Sequence, residues 1–235
     1  MNSFILQLRT GRLLWTILVT FYFIVFFTNF FSDTVPELRI IPLLFAYTFV
    51  LWLAVEYYFG SPFFQSGFVA PSPLWRGVFA FFVYPYLGYL AADFIWWEWT
   101  QIPINYLITG IPGLLLFGLG VYLRLATLFS VLGIAQIKTE AGEIVFPPRR
   151  FLNTEWQKLC RHPRYLAIFI QLLGAALVFR SWGGLVLTVF IGLPLILVQA
   201  RYEERLLVQA LKTEFTVYAG VTPFLFPRLT GKKAD

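Results

Sequence analysis

Two short runs of charge interrupt an otherwise apolar chain, and their residue types suit a shared ligand. The first is Arg161–His162–Pro163–Arg164–Tyr165; the second is Arg201, Glu203 and Glu204. Proline suits the first turn of a helix, where its missing N–H is not needed. Arg161 and His162 therefore fall at a helix N-terminus, where free N–H groups and the helix dipole favour an anion. The stretch between the two runs, Tyr165 to Ala200, is apolar except at Arg180, Ser181, Trp182, Gly183 and Gly184. It is too long for one membrane span, so a helical hairpin is expected, with arms near 165–179 and 185–200. Such a hairpin returns the chain to its starting side and sets Glu203 and Glu204 against Arg161 and His162. A zwitterionic amino-acid moiety fits that pairing, its carboxylate on the Arg/His side and its ammonium on a glutamate. Ordinary charge beside a membrane is the alternative.

The elements that must position these residues read as membrane helices. Hydrophobic residues make up 59% of the 235-residue chain and charged residues 13%, against about a quarter charged in soluble domains. A chain this apolar needs the bilayer as part of its solvent. Spans are expected at Leu13–Phe31, Ile40–Phe59, Gly77–Trp97 and about Ile104–Gly133, the last with a possible break near Gly110–Pro112–Gly113, followed by the two arms of the hairpin. The run after Arg9 and Arg12 reads as a first span and not as a cleaved signal, since no small-residue cleavage site follows it. Gly60, Pro62, Gly67, Pro71 and Pro73 mark a loop. Residues 134–164 form the longest polar stretch. Leu206, Leu207, Ala210 and Leu211 among charges suggest an amphipathic helix in the tail. The fold class is thus all-α: a polytopic membrane bundle of about six spans with an amphipathic C-terminal helix. N-terminal transmembrane helices occupy 1–103, and 104–235 form the part that carries the site.

Lys and Arg distribute unevenly about that topology. Six spans put 15 of the 18 on one side and only Arg39 and Arg180 on the other, with Arg124 inside a span. The positive-inside rule then makes the protein multi-pass with both termini and the 134–164 segment cytoplasmic. Glu56, Asp93, Glu98 and Arg124 fall in or near spans, where charge is costly. Glu98 reads as interfacial beside Trp96, Trp97 and Trp99. Glu56 and Arg124 lie toward the same side, so they either pair or snorkel to the interface. One cysteine, Cys160, excludes an internal disulfide and any cysteine-based metal cluster. One histidine, His162, excludes multi-histidine metal sites. No metal and no nucleic acid are expected.

In order along the chain, RHPRYLAIF at 161–169, RYEERLLVQALKTEFTVY at 201–218 and FPRL at 226–229, with a weaker GLGVYLRLA at 118–126, resemble the isoprenylcysteine carboxyl methyltransferase family and its phospholipid methyltransferase relatives. The resemblance covers roughly residues 115–230. Ala167 stands where that family usually has glycine, the segment 143–160 is longer, and Phe215 stands where tyrosine is common. The resemblance implies S-adenosylmethionine as cofactor, bound by Arg161, His162, Pro163, Tyr165, Glu203 and Glu204, with Arg201 and Glu203 in the catalytic role. The acceptor would be lipophilic, prenylated or lipid-like, met at the cytoplasmic face of the bilayer. Tyr165 would face the sulfonium by a cation–π contact, and Glu204 would hold the methionine ammonium. A sterol-reductase-like NADPH enzyme, which shares an Arg-x-Pro-x-Tyr pattern, and a non-catalytic scaffold keeping the same fold are the alternatives.

Overall fold

The computed structural model describes residues 10–31, 36–58, 73–131, 137–139, 142–144 and 155–227. Its helices are α1 (Thr10–Phe30), α2 (Pro36–Tyr58), α3 (Pro73–Ala92), α4 (Tyr106–Val131), α5 (Glu155–Leu159), α6 (Pro163–Val178), α7 (Trp182–Leu187), α8 (Leu193–Leu211) and α9 (Thr213–Val221). Proline opens α2, α3 and α6, the position where it removes no needed donor. Pro42, Pro85 and Pro112 lie inside helices, as membrane helices tolerate when neighbours re-satisfy the backbone. Two π-helical turns extend the set: Asp93–Trp97 after α3, and Thr188–Gly192 between α7 and α8. Among the described residues, one antiparallel ladder accompanies the helices, β1 (Ile137–Thr139) with β2 (Gly142–Ile144), pairing Lys138 with Glu143.

Among the described residues, four segments are long and apolar enough to cross a membrane: Leu13–Phe30, Ile40–Tyr58, Tyr106–Ser130 and Trp182–Leu211. Helix α6, the expected first arm of the hairpin, is a shorter apolar helix of 16 residues. Two expectations change. The fourth stretch is not broken at Gly110–Pro112–Gly113 but runs as one helix. The second arm and the amphipathic segment after it are one continuous rod, Trp182–Leu211, through the π-turn. Residues 134–136, 140–141 and 145–154 of the polar stretch, the expected loop residues Gly60, Pro62, Gly67 and Pro71, and Arg228 and Leu229 of the FPRL motif lie outside the described residues.

The core sits where α2, α4 and α6 meet. Phe45 packs on Phe117 at 4.5 Å between ring centroids and on Phe179 at 5.3 Å, and Phe179 meets Phe94 at 5.7 Å. Helices α4 and α6 form the closest contact in the bundle. Their backbones approach at Gly113, Gly120 and Gly174: a Cβ on Gly174 would lie 2.5 Å from the Phe117 nitrogen, and one on Gly113 2.5 Å from the Val178 nitrogen. Small residues permit such approach where lipid tails supply no hydrophobic drive.

One end of the bundle is fastened by hydrogen bonds. Buried Asp93 accepts from the Trp99 and Thr100 amides through Oδ1 at 2.9 and 3.1 Å and from the Thr100 hydroxyl through Oδ2 at 2.6 Å. Thr100 also meets the Ser181 hydroxyl at 2.9 Å, and Ser181 caps α7 by accepting from the Gly184 amide. The Trp182 amide donates to Thr100 O, and the Arg180 side chain to Ile102 O at 2.7 Å. This staple fixes the hairpin turn to the loop that follows the first π-turn. Trp96, Trp97 and Trp99 are exposed around it, as an interfacial belt would be. The charged residues of interest lie at the opposite end.

Candidate functional site

Arg161, His162 and Glu204 meet at that opposite end. Pro163 starts α6, and the His162 carbonyl accepts from the Tyr165 and Leu166 amides, which holds His162 at the helix start. The rod brings Glu203 and Glu204 back beside it. Arg161 Nη1 lies 2.9 Å from Glu204 Oε1, and His162 Nε2 lies 3.2 Å from the same oxygen. A carboxylate only accepts, so His162 donates from Nε2 in this contact. His162 Nδ1 stands 3.9 Å from Glu203 Oε2.

The site has a closed floor and a partly open rim. Glu203, His162 and Tyr165 are at most 2% exposed, whereas the Arg161 and Glu204 side chains are 18% exposed. The rim is covered by the chain after α9. Pro223 accepts the Arg161 amide at 2.8 Å, the Arg161 guanidinium lies 5.2 Å over the Phe224 ring, and His162 meets that ring edge-on at 5.0 Å. Tyr218 donates to Gln157 O at 2.7 Å and ties α9 to α5.

A second charged layer lies deeper. Glu56 on α2 takes a bidentate contact from Arg124 on α4: Nε to Oε1, and Nη2 to Oε2 at 2.8 Å. Trp52 Nε1 donates to Glu56 Oε1 at 3.0 Å, and Arg124 lies over the Trp52 ring at 5.3 Å. Arg164, fully buried, stands within electrostatic reach of Arg124, Glu56 and Glu203. Arg164 is thus coupled electrostatically to both layers, and Arg161 pairs with Glu204 at the rim.

Of the residues expected in the site, the structure brings together Arg161, His162, Pro163, Tyr165, Glu203 and Glu204. Tyr165 lies behind His162, ring centroids 5.5 Å apart, and does not reach the rim. Arg201 is exposed on α8, and among the described residues no ion pair joins it to the cluster. Ala167 is fully buried on α6, and its carbonyl would lie 2.8 Å from a Cβ at Gly120, so it belongs to the α4–α6 seam. Sequence reasoning named Arg164 in the first charged run but gave it no role; it is the second residue of α6 and is buried. That reasoning missed Phe224, for which no local signal exists.

Burial lowers the His162 pKa, opposed by its hydrogen bond and charge contact with Glu204. The ring is therefore neutral when folded at neutral pH. A group that titrates lower in the folded than in the unfolded state binds fewer protons when folded, so stability falls as pH drops below the unfolded value of about 6.5. The thermal midpoint of the detergent-purified protein should decline from pH 7 toward pH 5, and His162→Asn should flatten that decline. An equal decline in the variant would remove His162 as its source. Burial also pushes the Cys160 thiol up to about 11, so it is protonated and a poor nucleophile.

Compared with known proteins, the chain matches no family model, no curated protein and no solved structure.

Proposed function

We propose that the chain is a membrane-embedded S-adenosylmethionine-dependent methyltransferase that acts on a lipophilic, prenylated or lipid-like acceptor. In this reading it has six spans, with α3 and α6 crossing beside the four longer segments, both termini cytoplasmic and the site at the cytoplasmic face. The observation that carries the reading is the meeting of two distant motifs, with Arg161 and His162 both on Glu204 Oε1.

The rim suits the amino-acid end of such a cofactor. Arg161 and Glu204 place one cation and one anion side by side, both partly exposed. A zwitterion can exchange into that pair, with its carboxylate on Arg161 and its ammonium on Glu204. His162 holds Glu204 from the buried floor, and Phe224 flanks the rim beneath the Arg161 guanidinium. The cofactor supplies an already activated methyl group, so the protein's own work is alignment and exclusion of water. An acceptor that must lose a proton would need a base, and Glu203 or His162 is the available candidate.

Titration with S-adenosylhomocysteine by calorimetry tests this. The folded wild-type protein should bind saturably, and Glu204→Ala should lose binding while eluting as a folded species. A folded wild-type protein that binds none would end the proposal. The closed floor also favours a second reading, a non-catalytic membrane protein in which the same contacts clamp α6 to α8; that outcome of the titration is the one it expects.

A further inference from the structure

Helices α1, α2 and α3 line a cavity of about 660 Å³ whose wall holds no charged side chain. We propose that it holds one hydrocarbon chain of a lipid from the leaflet at the end of the bundle that carries the Arg161–Glu204 cluster. The assignment rests on the membrane character of the chain and not on the methyltransferase reading.

Size and depth define the occupant. The volume falls within the range of about 300–1,000 Å³ that small-molecule sites occupy. Along α1 the lining runs from Trp15 to Phe27, about 18 Å at 1.5 Å per residue. Half of a hydrocarbon core about 30 Å thick is about 15 Å. Within the Leu13–Phe30 span the lining begins two residues in and ends three residues short of the far end, so the cavity passes well beyond the midplane and follows α1 as one extended chain would.

Its polarity is graded in the same direction. Trp15 and Thr16 in the first turns of α1, and Tyr57 at the end of α2, put polar groups at the cluster end, with Thr20 and Tyr84 midway along their helices. Phe23, Phe27, Phe49 and Leu87 form the inner end. Tyr57 follows Glu56, whose carboxylate holds Arg124, so the mouth lies beside the charged network. An amphiphile would enter with its head at that mouth and its chain inward. No charged side chain lines the cavity, so nothing there would hold a phosphate or a nucleotide inside it. Helix α1 packs on α2 while its Leu13–Phe30 face stays largely exposed, so entry is sideways from the bilayer.

The probe is palmitic acid with a diazirine midway along its chain, added to the purified full-length protein and irradiated. Labelling should saturate, fall with excess unlabelled palmitate, and map to peptides containing Phe23–Phe27, Phe49–Leu53 and Leu87. Ala54→Trp fills the cavity from the α2 wall and should cut labelling about tenfold. Leu87→Trp, from the α3 wall, should do the same, with each variant checked for a single folded peak. Labelling that is unsaturable, follows exposure along residues such as Leu115 and Tyr122, and persists in both variants would be ordinary lipid contact and would overturn the proposal. Because the assay involves no S-adenosylhomocysteine, its result stands apart from the calorimetric one.

Discussion

Glu56→Leu should lower the stability of the folded chain by about 3–5 kcal/mol, the usual cost of stranding one member of a buried ion pair. Both partners are almost wholly buried. Glu56 is the acceptor for both Arg124 nitrogens and for the Trp52 indole. Without it, Arg124 remains buried with Arg164 as a charged neighbour, and only Glu203 is left to offset the repulsion between the two arginines. The double variant Glu56→Leu/Arg124→Leu should recover most of the loss, because replacing a buried pair with apolar groups is often near neutral. Arg164 would then keep Glu203 as its counter-charge. Unfolding in mixed micelles, followed by tryptophan fluorescence, measures all three proteins. A double variant as unstable as the single one would show that Glu56 acts by packing alone.

Gly174→Ala should cost about 1–3 kcal/mol by overpacking the seam between α4 and α6. The new methyl would lie 2.5 Å from the Phe117 nitrogen and 2.8 Å from Gly113 O. Backbone atoms cannot rotate aside as a side chain can, so the two helices would have to separate. Gly118, on α4 as well, has nothing within 4 Å of its would-be Cβ. Gly118→Ala should therefore be neutral or stabilising by up to about 1 kcal/mol through helix propensity. The same unfolding assay reads both. Equal effects at 174 and 118 would mean that helix propensity, and not the closeness of the seam, governs these positions.

The sequence made the hairpin legible because its signals are local. Pro163 announces a helix start, and Ser181 with two glycines announces the turn; α6 begins two residues before the expected arm. The meeting of Arg161 and His162 with Glu204 followed from hairpin length alone. Glu56 and Arg124 were visible as charges at matching depth, and the structure resolves the choice in favour of pairing. Other features depend on contacts that no local pattern encodes. Gly113 read as a break in a helix, yet its smallness serves the approach of α6. Asp93 read as an isolated intramembrane acid, yet the loop that follows folds back to donate to it. Arg164 stood in the first charged run with no role of its own, and only the folded structure shows it enclosed.

The π-turn at Thr188–Gly192 also sets the angular phase of the rod that carries the glutamates. Such a turn takes an extra residue into a helix that otherwise continues. Without that residue, everything beyond Gly192 would be rotated by about 100°, one residue's share of a 3.6-residue turn. The face of α8 that buries Gln199, Ala200, Glu203 and Leu207 would then turn toward lipid, and Glu204 would leave Arg161. The aim of the site is thus indexed about 17 Å away along the rod, within an apolar stretch that bears no charge of its own.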